Sequence, residues 1–506
     1  MHVMSPFLAV IFMLLVIYKL YKFVYDKPPN TPPGIARIPI GGSYWLLLWK
    51  NYTFPHLAID YYVKKLKSTI VSCYMGDFLT VIVNDYKNIK EVLAREEFDG
   101  RITNADFIKD RAFGKELGVF FIDGTKWQEQ RRFALRHMRD FGFGRRQEKL
   151  ESEIMDEMTL FLDILKSGPI HDGEKEILKG NLALFPDILY ASAGNNIWNV
   201  MFGHKFDRSE HDIPRRLCRA GIMLLRANDT TGGAIFQRPF LKYFGNIFGY
   251  KNHMIASNVM IDIVKEYLKY QKTTFTENDD RGFIDRYLKR LNEENKSNSF
   301  TEEQLIILVI DMMFPAFAAV PSVITHVIKY LMHHPRIMAK VQNEIDNVVG
   351  TGRLVTWEDR KDLSYLEATI RETMRIETLT PLSIPHRCTK DTTLGGYEIP
   401  ANTPIFTNLA AVHHDPDIWG DPEVFRPERF LKEDGKLAKD ITMPFGFGHR
   451  LCAGETYARY NMFGTLGLLL QNFNFFFVEG QQSSLQDKLP GLGVTPKELW
   501  IRLELR

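Results

Sequence analysis

The chain has 506 residues, of which 45% are hydrophobic and 25% charged, and a formal net charge of +2. That balance is ordinary for a globular protein; it excludes a disordered chain and gives no argument for a nucleic-acid partner. Four widely separated cysteines, Cys73, Cys218, Cys388 and Cys452, form no C-x-x-C pair, which excludes a disulfide framework or a zinc ribbon and fits a reducing compartment.

The first element is the apolar run MSPFLAVIFMLLVIYKLYKFVY, Met4 to Tyr25. It is short for a full membrane span, but Lys19 and Lys22 near its end can snorkel. A cleaved secretory signal is the alternative, and no small-x-small site follows. Instead comes DKPPNTPPG, a stiff proline-rich stretch from Asp26 to Gly34. Lys19, Lys22 and Lys27 follow the apolar run and so stay cytosolic. The expected organisation is an N-terminal membrane anchor (1–25), a proline-rich hinge (26–42) and one large domain (43–506), since no later linker, repeat or low-complexity tract divides the rest.

Residues 69–84, TIVSCYMGDFLTVIVN, alternate and favour β-branched types, predicting a hairpin. From about residue 86 to 380 the pattern is mostly helical. The clearest helix opens at TEEQLIILVIDMMF, where Thr301 and Gln304 have capping-box spacing, and continues to about His333. Asp311, Pro315 and Pro321 argue for a core helix rather than a second span. Short strands follow residue 380, among them TTLGGYEIP. A helix follows Cys452, and ELWIRLELR closes the chain as a strand. Helices dominate, with a small β portion.

The stretch PFGFGHRLCAG, residues 444–454, sets one thiol among three glycines, two phenylalanines and an arginine. A thiolate is a soft, strongly donating ligand. One isolated cysteine cannot make a zinc or iron–sulfur site, but it can be the sole protein ligand of a haem iron. On that reading Gly446 and Gly448 permit the turns that aim the loop at a flat cofactor. Gly454 lets the next helix approach closely, and that helix, starting at or just after Cys452, favours a thiolate at its N-terminus. Phe445 shields the sulfur, and Arg450 offers a cation for a haem propionate. The alternative is a structural cysteine in a glycine-rich turn.

The spacing F-x-x-G-x-R-x-C-x-G resembles the haem-binding signature of the cytochrome P450 family, the haem-thiolate monooxygenases, and the resemblance extends over nearly the whole chain. ETMR supplies Glu372 and Arg375, and FRPERF supplies Arg429; in the family such a Glu and two Arg form a buried triad behind the haem. WQEQR resembles the family's W-x-x-x-R helix, placing Trp127 and Arg131 near the propionates, and FDGR and IPHR add Arg101 and His386. His413 and His414 are read as structural. The basic run Arg131, Arg132, Arg136, His137 and Arg139 borders the side on which the family's reductase docks. The chain is most similar to the microsomal branch that includes drug- and steroid-oxidising members, with an insect source expected.

The pattern breaks on the long helix. Where most members carry A-G-x-[D/E]-T-[T/S], this chain reads PAFAAV, with Ala318 in place of the acid and Ala319 in place of the alcohol. Neither methyl relays a proton. Pro321 has no N–H for the Phe317 carbonyl. A water held there, assisted by Ser322 or Thr325, is one expected substitute; the alternative is that the proline only bends the helix.

The resemblance implies the cytochrome P450 fold, haem b held by Cys452, and insertion of one atom of dioxygen into a small lipophilic substrate in hormone or xenobiotic metabolism. Electrons would come from NADPH through NADPH–cytochrome P450 reductase, with cytochrome b5 as a further donor, at the endoplasmic reticulum membrane. The substrate wall is expected from residues 102–122 (Phe107 and Phe120 foremost), 200–245, the helix around Phe314, and Leu379 to Ile384. Two other readings stay open: a reductase-independent isomerase or dehydratase of oxygenated lipids, and a non-catalytic haem or lipid binder.

Overall fold

The computed structural model describes residues 6–102, 106–481 and 483–506; residues 1–5 of the expected anchor lie outside them. Helices dominate, accompanied by two four-stranded sheets and two short hairpins among the described residues. This is the mainly α, small β organisation expected. The helix Pro6–Tyr25 is 20 residues long. Its apolar length from Leu8 onward is wholly unburied and is long enough to cross a membrane.

The proline-rich stretch after it is not a free linker. Ser72 donates its N–H to the Pro33 carbonyl and its hydroxyl to that of Pro32, each at 2.8 Å, and Ile35 N–H returns a bond to the Ser72 carbonyl. The edge strand Ile70–Met75 would otherwise expose these groups. Arg37 is held between the rings of Phe23 and Tyr74 and pairs with Asp77 at 2.9 Å.

The predicted hairpin forms, Ile70–Met75 pairing antiparallel with Phe78–Val83. Pro404–Thr407 then pairs parallel to Phe78–Val83, and His386–Arg387 pairs antiparallel to Pro404–Thr407. This sheet brings IPHR against the N-terminal half. The closing strand Leu499–Leu505 sits between Leu182–Phe185 and Phe473–Phe477 in the second sheet.

The long helix Glu302–His333 runs through the main core. It packs against helices Tyr190–Phe202, Asp212–Arg226, Ser364–Ile376 and Glu455–Asn472. Only half of the expected capping box forms. Thr301 Oγ1 accepts from the Gln304 N–H at 3.1 Å, but the Gln304 carboxamide turns away to bond the N–H and carbonyl of Gly118, both at 3.0 Å. Two buried backbone groups of an irregular segment compete better for the amide than a helix end that water can reach.

About two turns further on, Asp311 fastens the same segment. It pairs with Arg111 at 2.6 Å, the side chains 0% and 2% exposed, and accepts the N–H groups of Val119 and Phe120 at 2.8 and 3.0 Å. Breaking such a pair strands one charge in a dry interior, at a cost of about 3–5 kcal/mol. Arg111→Leu is expected to lower stability by that order in urea denaturation and to loosen residues 111–120, read as faster amide exchange there than in the wild type.

Candidate cofactor site and substrate pocket

The cysteine loop is built by turns that only glycine tolerates. Gly448 has φ +68°, and a Cβ there would lie 1.9 Å from the Leu93 carbonyl oxygen. The loop therefore lies directly on the helix Tyr86–Ala94. Cys452 donates its N–H to the Phe445 carbonyl at 2.9 Å. The following helix begins at Glu455 with Gly454 as its cap, two residues later than Cys452. Gly454 still serves the sulfur, by donating its N–H to it. Gly454 has a negative φ, and a Cβ on it would make only an ordinary 3.6 Å contact with Phe143, so no protein neighbour demands a glycine there, contrary to the expected close helix approach. Cys452 is exposed, yet enough protein surrounds its sulfur that burial pushes the thiol up, a push the Gly454 N–H and Arg131 oppose. An accessible thiol deep in the protein lies in a recess. Phe445 packs at the core edge under the Arg459 guanidinium.

The recess carries a cation cage. Arg101, Arg131 and Arg450 come from three distant parts of the chain and repel one another. Burial, with Arg131 adding to it, lowers Arg101 to about 10; burial, then Arg101 and Arg131, lowers Arg450 to about 8. Arg131 donates to the Leu451 carbonyl at 2.6 Å and Arg101 to that of Pro385 at 3.2 Å. Arg450 is the most committed: it stacks 3.5 Å above the Trp127 ring and donates to the carbonyls of Asp99 (2.9 and 2.6 Å) and Ile122 (3.0 Å). Arg101 Nε and Trp127 Nε1 are buried donors with no partner among the described residues. Buried donors lacking acceptors are costly, so a cage of three guanidiniums with two spare N–H groups fits a dianionic edge such as a pair of haem propionates.

His386 stands in the same cage in a different state. Its Nδ1 lies 2.7 Å from the Phe98 carbonyl, and burial, then Arg101, pushes it well below the usual imidazole range. The neutral ring therefore donates through Nδ1 to the backbone, leaving Nε2 without a proton. It can approach a propionate as a donor only once charged.

Glu372 and Arg375 make a bidentate pair at 2.7 and 2.8 Å, both 0% exposed. Arg429 approaches Glu372 at 3.4 Å, and the Arg426 N–H donates to it at 3.0 Å. Arg375 also donates to the carbonyls of His413 and Pro422 at 2.6 and 2.8 Å. His413 is held by Thr378 at 2.7 Å, and burial lowers it to about 3, in keeping with a structural residue.

On the long helix Phe317, Ala318 and Ser322 are buried. Ser322 donates its hydroxyl to the Ala318 carbonyl at 2.6 Å, and Thr325 donates to that of Pro321 at 2.7 Å. Neither hydroxyl turns to the Phe317 carbonyl, because the carbonyl four residues back lies nearer to hand.

A pocket of about 660 Å³, part of it open to solvent, lies between Arg101, Phe107, Phe236, Phe314 and Ile384. Four expected wall segments meet there, although residues 103–105 lie outside the described ones. Phe121 lines it instead of Phe120, whose ring is engaged edge-on with Phe314 at 5.1 Å. Sequence reasoning missed His253 and Leu492 in the wall, and missed Asp99 and Asp123 in the cage. Asp99 acts through its backbone carbonyl, which no side-chain pattern reveals. Asp123 accepts from Arg101 N–H and Arg387 at 2.6 and 2.5 Å.

An apolar pocket that shares Arg101 with the cation cage around a recessed cysteine suits a haem-thiolate oxidase. The chain belongs to the cytochrome P450 family, whose family model matches residues 32–503. It is 29% identical over 479 residues to a farnesoate epoxidase of Bombyx mori, covering 94% of each chain. It is 30% identical to cytochrome P450 2F2 of Rattus norvegicus (98% of this chain, 99% of the relative) and 32% identical to cytochrome P450 2B2 of the same species (93% and 91%). Members bind haem through a cysteine thiolate, and the chain is a monooxygenase.

Proposed function

We propose that this monooxygenase oxidises lipophilic hormones or xenobiotics at the cytosolic face of the endoplasmic reticulum, taking electrons from NADPH through a separate reductase, with cytochrome b5 as a further donor. The observation that carries the reading is the meeting of Cys452 with the Arg101–Arg131–Arg450 cage at one recess. When bound, haem supplies reductive activation of dioxygen, one atom going to substrate and the other to water. Cys452 would ligate the iron. Arg101, Trp127, Arg131 and Arg450 would hold the propionates, with His386 joining them when protonated. The knot of Glu372, Arg375 and Arg429 would hold the cysteine side rigid.

Arg132, Arg136 and Arg139 are exposed on or just after the helix Gly124–Met138, whose Arg131 reaches the cysteine loop. They suit steering of an acidic reductase. Exposed Phe240, Tyr243, Phe244 and Ile247 lie in the segment that packs, through Leu241 and Phe248, beside the helix Tyr44–Lys50 with its exposed Trp49. With the anchor helix they support a membrane-facing side.

Ala318 and Ala319 leave proton delivery to other groups. The Phe317 carbonyl, without an N–H from Pro321, is free to orient a water, and Ser322 Oγ retains lone pairs to accept from it. Ala319→Thr is expected to raise product formed per NADPH consumed several-fold in vesicles holding wild-type reductase. An unchanged ratio would remove the case for a substituted relay. Turnover of lipid hydroperoxides without NADPH would favour an isomerase or dehydratase, and ligand-induced optical shifts without any turnover would favour a binder.

A further inference from the structure

The pocket wall is apolar except at Arg101, which belongs to the cation cage, and at three neutral polar side chains, His253, Asn228 and Thr231. His253, on the helix Tyr250–Thr274, is 4% exposed and lines the pocket. Its Nε2 lies 3.0 Å from the Phe107 carbonyl oxygen. A carbonyl only accepts, so Nε2 carries the proton. Burial, then the nearby Arg111, lowers this imidazole to about 4, so the ring is neutral and Nδ1 is a bare acceptor. The Phe107 ring, edge-on at 5.3 Å, helps to fix the orientation. Nδ1 is buried and has no partner among the described residues. Buried nitrogens are rarely left so, and each needs a reason.

The two polar neighbours in the wall complement it. Thr231 spends its hydroxyl proton on Asp229 Oδ1 at 2.5 Å, leaving it only acceptor capacity toward the pocket. The Asn228 carboxamide makes no side-chain hydrogen bond among the described residues, so it can serve either role. Arg101 apart, the neutral polar groups of the wall offer more acceptors than donors, which suits an O–H group better than a carbonyl or an ether.

We propose that this pocket selects lipophilic alcohols: the substrate hydroxyl donates to His253 Nδ1, and its oxygen accepts from the Asn228 amide. The proposal rests on the monooxygenase reading and names its substrate class. An O-methyl ether of the same skeleton has no proton to give and leaves Nδ1 buried and unpaired. A penalty of about 1–3 kcal/mol for that corresponds to binding about 5- to 150-fold weaker.

The test uses the full-length holoenzyme in phosphatidylcholine vesicles and two matched pairs of probes: dodecan-1-ol with its methyl ether, and cholesterol with its 3-methyl ether. Binding is read from intrinsic tryptophan fluorescence and from the optical shift of the bound haem. The expected result is that the alcohol binds at least about 5-fold more tightly than its ether in one pair or both. His253→Leu and His253→Phe should each erase that preference, so that failure of one to fold leaves the other to decide. His253→Gln, which keeps both a donor for Phe107 and an acceptor, should restore it. Equal affinity for alcohol and ether in both pairs, no binding of any probe, or a preference that survives loss of the imidazole would each overturn the proposal. A chain that shows the alcohol preference by fluorescence but lacks thiolate-ligated haem would instead overturn the monooxygenase reading and leave the pocket's selectivity standing.

Discussion

Cys452→Ser is expected to abolish oxidation while leaving the fold intact. The serine oxygen keeps the Gly454 N–H as a partner and fits the same loop, so the far-ultraviolet spectrum and the denaturant midpoint should match the wild type. A hydroxyl is not a soft anionic donor at neutral pH. The reduced carbon-monoxide complex should therefore lose the spectrum of sulfur ligation, and turnover should fall by well over about 100-fold, the most that loss of a supporting group around a metal usually costs. A serine variant that kept the wild-type spectrum would place the iron ligand elsewhere and undo the assignment of the site.

The second large effect is structural. Glu372→Ala is expected to prevent the chain from accumulating as folded protein. Glu372 is the only carboxylate that Arg375 pairs with among the described residues, and Arg375 is 0% exposed. Removing Glu372 leaves that guanidinium buried without an anion, and among the described residues Arg429 keeps only Asp421 as an ionic partner. About 3–5 kcal/mol for a broken buried pair is a large share of the roughly 5–15 kcal/mol that holds a folded domain together. Arg375→Lys tests the same point more gently. A lysine keeps the charge but cannot serve both Glu372 oxygens and the carbonyls of His413 and Pro422 at once. Its yield of folded protein and its retained haem should fall between those of wild type and Glu372→Ala. Equal stability of all three chains would show that the knot is incidental.

The parts of this molecule that could be read in advance are those whose chemistry lives in side chains at fixed spacing. The hairpin at 69–84 was legible because alternation and a preference for β-branched residues are local. The long helix was legible because Asp311 and two prolines made a lipid-facing span implausible. Cys452, Trp127, Arg131 and the Glu372 knot sit in motifs whose order along the chain is informative. What could not be read is what backbone atoms do at long range. The Asp99 carbonyl that takes Arg450, the Gly118 peptide that diverts Gln304 from its cap, and the Pro32 and Pro33 carbonyls that bind the proline-rich stretch to a sheet edge have no sequence signature, because every residue owns the same carbonyl. His253 was missed for a related reason. A lone histidine on a helix is usually filler, and only the Phe107 carbonyl at its other nitrogen leaves Nδ1 of this pocket-lining residue as an acceptor.

The Glu372 knot and the cation cage differ in how much polypeptide each must gather. Arg375 reaches Pro422 across 47 residues, and Arg426 reaches Glu372 across 54. The cage bonds Arg101 to Pro385, Arg131 to Leu451 and Arg450 to Asp99 across 284, 320 and 351 residues. Closing a longer loop costs more entropy and takes longer. On the ribosome the knot can therefore set as its own stretch emerges, whereas the cage stays open until position 451 has left the exit tunnel. A group that needs the whole cage can therefore be held only after the cysteine loop has been made.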